Sequence, residues 1–348
     1  MSLEAGMQRL WYGPAWRTLP LWPFALLFRF VVALRRTLYR SGLLRSQEAG
    51  VPVVVVGNVT VGGTGKTPVA AWLARQLGLR GLRVGVVLRG YRGSHRGSPK
   101  TVELSDNPAI VGDEALLHAR RGVHAVVIGA DRVAAARQAG RQGAEIVVCD
   151  DGLQHLRLAR DYEIAVIDSA RRLGNGWTLP AGPLREPAVR LEAVNAVIAT
   201  QRRSGTAASE LSLRGPMQLT ARLSLGPAIN LVTGERQPLE SFPRSVRLHA
   251  AAGVGHPAAF FAALRDAGLS IVEHALADHA ALDPAALPFP ADASVLMTEK
   301  DAVKCRQFAR PGWWWVDLDV EVDRAEAEAL LASILERTGL ARAGVPLG

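Results

Sequence analysis

Short, unbroken apolar runs recur through the first two-thirds of the chain, at residues 53–56, 84–88, 125–128, 146–149, 164–167 and 196–199. Several are separated by stretches with helical spacing, at 69–79, 114–121 and 132–141, and Asp131 stands where it can cap the last of these. Strands that are apolar on both faces and alternate with helices predict a parallel sheet covered on each side. Ligand-facing loops then gather at the carboxyl ends of the strands. Residues 201–216 are small and polar and mark a boundary. Two runs follow, 217–225 and 228–232, divided by Gly226-Pro227, which predicts a ribbon between two lobes. A second α/β lobe is expected from a helix at 257–267, apolar runs at 295–297 and 313–318, and a terminal helix at 323–338. The expected division is an N-terminal helical segment (1–45), a core (46–215), a ribbon (216–233) and a smaller second lobe (234–348).

The N-terminal segment has its own pattern. Residues 19–36 read LPLWPFALLFRFVVALRR. Their apolar part, 21–34, is broken by Arg29 and falls short of the about 20 residues that a spanning helix needs. Trp11, Tyr12, Trp16 and Trp22 are interfacial residue types, and Arg9, Arg17, Arg29, Arg35, Arg36 and Arg40 suit lipid phosphates. A helix lying in the membrane interface is expected, with packing on the protein itself as the alternative. A cleaved signal peptide is disfavoured, because basic residues continue past the apolar stretch without a small-residue cleavage site.

Composition narrows the function. The 348 residues allow two domains, and 49% hydrophobic content supplies a core without staples. The net charge of +9 favours an anionic partner, yet no nucleic-acid module or zinc ligand set is present. The two cysteines, Cys149 and Cys305, have no metal-ligand spacing, which suits a reducing compartment.

The chemistry begins at GNVTVGGTGKTP, residues 57–68. An apolar strand, a glycine-rich turn and a helix start form a phosphate cradle of the P-loop NTPase kind, in a doubly wound α/β sheet. Thr60, Val61, Gly62, Gly63, Thr64 and Gly65 offer backbone N–H groups, Lys66 a point charge and Thr67 a hydroxyl for Mg²⁺. Thr60 replaces the first glycine of the generic pattern. Asp150 and Asp151 follow the run at 146–149, where a carboxylate can hold Mg²⁺; Asp-Gly also favours a plain turn. Asp113 opens a helix. It suits the helix dipole there, and it equally suits orienting or deprotonating an attacking hydroxyl. Residues 175–190, NGWTLPAGPLREPAVR, hold Arg185 and Glu186 in a proline-rich loop, as phosphate and metal contacts or as a salt bridge. Tyr91 follows the second strand as a sugar contact or a lobe contact. Asp278-His279 and the TEKD at 298–301 stand out in the second lobe. A nucleotide-hydrolysing switch that drives a membrane partner remains the rival reading.

Together these segments resemble the tetraacyldisaccharide 4′-kinase family of lipid A biosynthesis. The resemblance rests on residues 57–68, RGYRG (89–93), GDE (112–114), DDGLQHLRLARD (150–161), GNGWTLPAGPLREP (174–187), AAGVGHPAAFF (251–261), Asp278-His279 and TEKDAVK (298–304). Three positions depart from the family's habit: Ala115 stands for proline, Ala280 for a second histidine, and Leu88 for serine. The resemblance implies ATP and Mg²⁺ as cofactors, an acylated disaccharide phospholipid as substrate, and the cytoplasmic face of the bacterial inner membrane as location. It implies Asp113 as the catalytic aspartate assisted by His279, and Lys66 and Thr67 on the nucleotide. Asp150, Asp151 and Glu186 become the further site carboxylates, with Thr67, Asp151 and Glu186 around the metal. Arg185 and Tyr91 become substrate contacts.

Overall fold

A computed structural model describes residues 3–202, 213–244, 247–254, 257–276, 284, 287–290 and 292–341. Two helices precede the sheet, α1 (Leu3–Trp11) and α2 (Trp22–Arg40). The first half of the chain then gives β1 (Val53–Gly57), α3 (Lys66–Leu79), β2 (Val84–Leu88), β3 (Lys100–Thr101), α4 (Pro108–Val111), α5 (Asp113–Arg120), β4 (Ala125–Ile128), α6 (Arg132–Arg141), β5 (Ile146–Asp150), β6 (Tyr162–Asp168) and β7 (Ala196–Gln201). The second half gives β8 (Met217–Asn230), β9 (Arg236–Gln237), β10 (Leu248–Ala252), α7 (Pro257–Asp266), β11 (Ile271–Ala275), β12 (Val295–Thr298), α8 (Glu299–Cys305), β13 (Trp313–Val322) and α9 (Arg324–Arg337).

The described strands form one continuous sheet in the order β11-β10-β12-β13-β8-β7-β6-β1-β5-β2-β4-β3, with β9 beside β8. The valines of β1 sit at its centre, parallel to β5 on one side and β6 on the other. They are buried on both faces, which is why β1 reads as an unbroken apolar run. Each face has its own core, one built on Leu73, Leu77 and Val148, the other on Val55, Ala136 and Leu158.

The two lobes meet at β8. It runs parallel to β7 and antiparallel to β13, so the second lobe's parallel strands point the opposite way. The sequence pattern predicts two runs here; the structure has one strand. Ala228 pairs with Val316 and Leu225 with Leu318, so Gly226 and Pro227 together face Asp317. That two-against-one count is a β-bulge, which tolerates a proline because the ladder is already interrupted there. The terminal helix α9 follows the second lobe in sequence, yet Leu330, Leu331 and Ile334 join the core of the first. Tyr162 Oη donates to Ser333 Oγ at 3.2 Å, and Arg80 meets Glu328 at 2.5 Å.

The N-terminal helical stretch is longer than its apolar run. The helical stretch Ala15–Arg40 runs 26 residues, long and apolar enough by length and composition to cross a bilayer. One side of α2 packs on the protein. Trp22 stacks on Trp177 with ring centres 4.2 Å apart, and Thr178 Oγ1 donates to Ala25 O at 3.0 Å. The other side leaves Phe24, Leu27 and Phe30 more than 60% exposed.

Candidate active site

The cradle follows β1 directly. Asn58 is fully buried, and its Nδ2 donates to Thr64 Oγ1 at 3.1 Å. Thr200 Oγ1 on β7 donates to Thr64 O at 2.8 Å. The other arm is zipped to the proline-rich loop: Val61 N donates to Pro183 O at 2.8 Å and Arg185 N to Val59 O at 2.7 Å. Gly65 turns the chain into α3 at φ 83°, and a Cβ there would stand 2.9 Å from Leu223 Cδ1. Glycine is therefore required at this position. Asp131 and Asp323 cap α6 and α9 through their side chains, but no side chain caps α3. Its first-turn N–H donors and positive dipole end are left to an anion.

Three carboxylates act on Lys66 by charge. Burial alone would depress its ammonium, but Asp151, Glu114 and Asp150 outweigh that and hold it above its ordinary value. Burial, reinforced by Asp150, pushes Glu114 up. Asp150 is 1% exposed, and burial would raise it too. The His118 hydrogen bond, Lys66 and the Thr67 hydroxyl reverse the sign and hold Asp150 below the usual carboxylate range. His118 Nε2 lies 3.1 Å from Asp150 Oδ2. Asp151 adopts φ 54°, an uncommon left-handed conformation for a residue with a side chain. Arg185 Nη1 donates to its Oδ1 at 3.1 Å.

These residues fit a phosphate-borne Mg²⁺. Asp150 Oδ1 is buried without a protein hydrogen-bond partner, and the Thr67 hydroxyl lies beside the same carboxylate. Among the described residues, no three His, Cys, Asp or Glu side chains converge into an all-protein metal cage. Mg²⁺ bound through one or two carboxylates, water and substrate phosphates needs no such cage.

Asp113 begins α5, behind Gly112 at φ 88°, where a Cβ would fall 2.8 Å from Tyr91 O. The RGYRG and GDE segments are thus packed against each other. Tyr91 itself is exposed, with the Arg92 guanidinium 5.5 Å from its ring centre. Glu186 is buried: Oε1 accepts from Gln154 Nε2 at 2.8 Å, and Oε2 faces Arg190 at 3.4 Å and Arg36 of α2 at 3.6 Å. Arg35 Nη1 also donates to Gln154 O at 3.1 Å. The expected ligand loop therefore anchors the N-terminal helix as well. Asp278 and His279 lie outside the described residues.

Between the lobes lies a cavity of about 970 Å³, walled by the cradle from Gly63 to Pro68, by Glu114 and His118, and by Leu225 and Phe260. The lobes are bridged beside it by Arg121, whose Nη2 lies 2.8 Å from Glu299 and 3.1 Å from Asp317. Sequence reasoning missed His118, Arg121 and Lys304. His118 stands four residues after Glu114, a shared helix face that could have signalled it. Lys304 ends the quoted TEKDAVK, but its partner Asp113 lies on another lobe.

His155 gives this region a pH signature. Burial, then Arg132 and Arg160, push it down to about 4, against an ordinary 6.5. Between those values the unfolded chain binds more protons, so stability falls as pH drops through that window. His155→Gln is expected to flatten this fall, read by chemical denaturation across the window. An unchanged slope would clear His155 as its source.

The doubly wound sheet and the Gly-Lys-Thr cradle define a P-loop-like nucleotide-binding fold. Residues 17–336 match the family described as LpxK, tetraacyldisaccharide-1-P 4′-kinase. The chain belongs to that family. It is also similar to the crystal structure of the "apo" form of LpxK from Aquifex aeolicus in complex with ATP, at 27% identity and a TM-score of 0.78. That match covers 92% of this chain and 99% of the other.

Proposed function

We propose that the protein transfers the γ-phosphoryl group of ATP to the 4′-hydroxyl of tetraacyldisaccharide 1-phosphate, forming lipid IVA. The observation that carries this reading is Lys66, half-buried at an uncapped helix start, with the charges of Asp151, Glu114 and Asp150 acting on it. Membership of a kinase family and the ATP in the related Aquifex structure support it.

The cradle N–H groups and Lys66 hold the β- and γ-phosphates in line for transfer. Asp113 orients the acceptor hydroxyl and takes its proton. Lys66, joined by Arg185, offsets charge that develops on the moving group. Thr67, Asp151 and Glu186, with Asp150 beside them, would hold Mg²⁺. When bound, Mg²⁺ neutralises phosphate charge. The cradle opens onto the interlobe cavity, which closure would screen from water, the competing acceptor. The rival, a switch that hydrolyses GTP or ATP to drive a membrane partner, is separated by a nucleotide panel. A kinase consumes ATP only when the acyl-disaccharide is present; a switch hydrolyses nucleotide without it.

The substrate's acyl chains stay in the bilayer, so the enzyme works at the cytoplasmic face of the inner membrane as a peripheral or monotopic protein. The exposed apolar side of α2, flanked by arginines, is its docking surface. Phe24→Ser, Leu27→Ser and Phe30→Ser combined are expected to cut co-sedimentation with anionic vesicles by about tenfold or more, given about 1.5–3 kcal/mol per buried large apolar side chain. ATP affinity should stay unchanged. Full co-sedimentation would refute the docking role.

A further inference from the structure

Helix α8 carries TEKDAVK into the boundary between the lobes. Its Ala302 and Cys305 pack in the second lobe's core, while Val303 belongs to the first lobe's core, as do Val111 and Ala115. Lys304, the next residue, is 9% exposed at its side chain. Its Nζ lies 3.1 Å from Asp301 Oδ1 on its own helix and 3.8 Å from Asp113 Oδ2 across the boundary. Asp301 does not depend on Lys304 alone. Its Oδ2 accepts from Gly253 N at 2.8 Å and from Thr298 Oγ1 at 2.6 Å. The reach to Asp113 is therefore an addition to what α8 needs for its own cap.

We propose that Lys304 is a positioning residue for Asp113, a second-lobe cation that aims the carboxylate at the acceptor hydroxyl. This rests on the reading of Asp113 as the residue that receives the hydroxyl proton. At 3.8 Å the ammonium is beyond hydrogen-bond range, so it orients the carboxylate by charge without taking the oxygen as a hydrogen-bond acceptor. The carboxylate begins α5, the helix that also brings Glu114 to Lys66 and His118 to Asp150. The second lobe is thereby tied to the alignment of the first lobe's base. Arg121 holding Glu299 and Asp317 keeps α8 and β13 in register with α5 for that contact.

The test compares kcat and KM for ATP and for the acyl-disaccharide in the unaltered protein, Lys304→Met and Lys304→Arg, each also in an Asp113→Asn background. Lys304→Met is expected to lower kcat about tenfold while KM for ATP stays within about twofold. Lys304→Arg, which keeps the charge, should recover most of the loss. In the Asp113→Asn background, Lys304→Met should lower kcat no further, because the two residues act as one unit. Equal kcat in Lys304→Met and the unaltered protein would overturn the proposal. So would the same fold-loss in both backgrounds, or no recovery with arginine. If Lys304→Met melts below the assay temperature, Lys304→Gln carries the same comparison, since it keeps a donor for Asp301 without the charge. Absence of acceptor-dependent turnover in the unaltered protein would instead overturn the kinase reading itself.

Discussion

Asp113→Ala is expected to bind ATP as tightly as the unaltered protein and to turn over about 10²–10⁴-fold more slowly, the range for loss of a general base. The cradle and its braces, Asn58, Thr200 and the 183–185 arm, do not involve Asp113, so nucleotide affinity has no reason to change. The loss should fall on kcat, since the carboxylate acts on the hydroxyl as it attacks. Nucleotide affinity by calorimetry and single-turnover transfer rates check both halves. Normal turnover would remove Asp113 from the role, and the remaining carboxylates near Lys66 would have to be tested in its place. Loss of ATP binding would make Asp113 a structural support of the cradle.

Lys66→Met should be more severe because it strikes binding and chemistry together. It removes the cation that Asp151, Glu114 and Asp150 share and leaves carboxylates facing the phosphates. ATP affinity should fall by about tenfold or more and turnover by about 10³, the scale seen when a preorganised charge contact is lost. Removing the cation also leaves Asp150, the buried member of the group, with one less favourable charge beside it. A thermal melt without nucleotide should therefore show a lower transition for Lys66→Met, and ATP should restore little of it. Unaltered ATP affinity in this variant would mean that phosphates bind elsewhere.

The legible parts of this fold are those where local pattern and final environment coincide. β1, β2, β4 and β5 lie in the middle of a parallel sheet, apolar on both faces, and their runs are visible in the chain. β10 and β11 were not visible. LHAAA and IVEHA carry histidines, and β11 lies at the sheet's edge, where part of its surface is open. Gly226-Pro227 reads as a stop in any local view, and only the partner strand β13 turns it into a bulge.

The site divides in the same way. The cradle is legible because one turn supplies the glycines, the lysine and the threonine. The His118–Asp150 and Lys304–Asp113 contacts join residues 32 and 191 positions apart, so they depend on how α5 meets β5 and α8. Glu186 illustrates a different limit. Its residue type predicts a metal contact, but nothing in the local sequence shows its contacts with Gln154, Arg190 and Arg36, which tie the proline-rich loop to α2.

The most direct measurement supplies the full-length protein with γ-labelled ATP, Mg²⁺ and tetraacyldisaccharide 1-phosphate in mixed micelles, and identifies the labelled product. Label recovered on the lipid's 4′-oxygen, one for each ATP consumed, is the expected result. Label released as free phosphate, with the lipid unaltered, would contradict it.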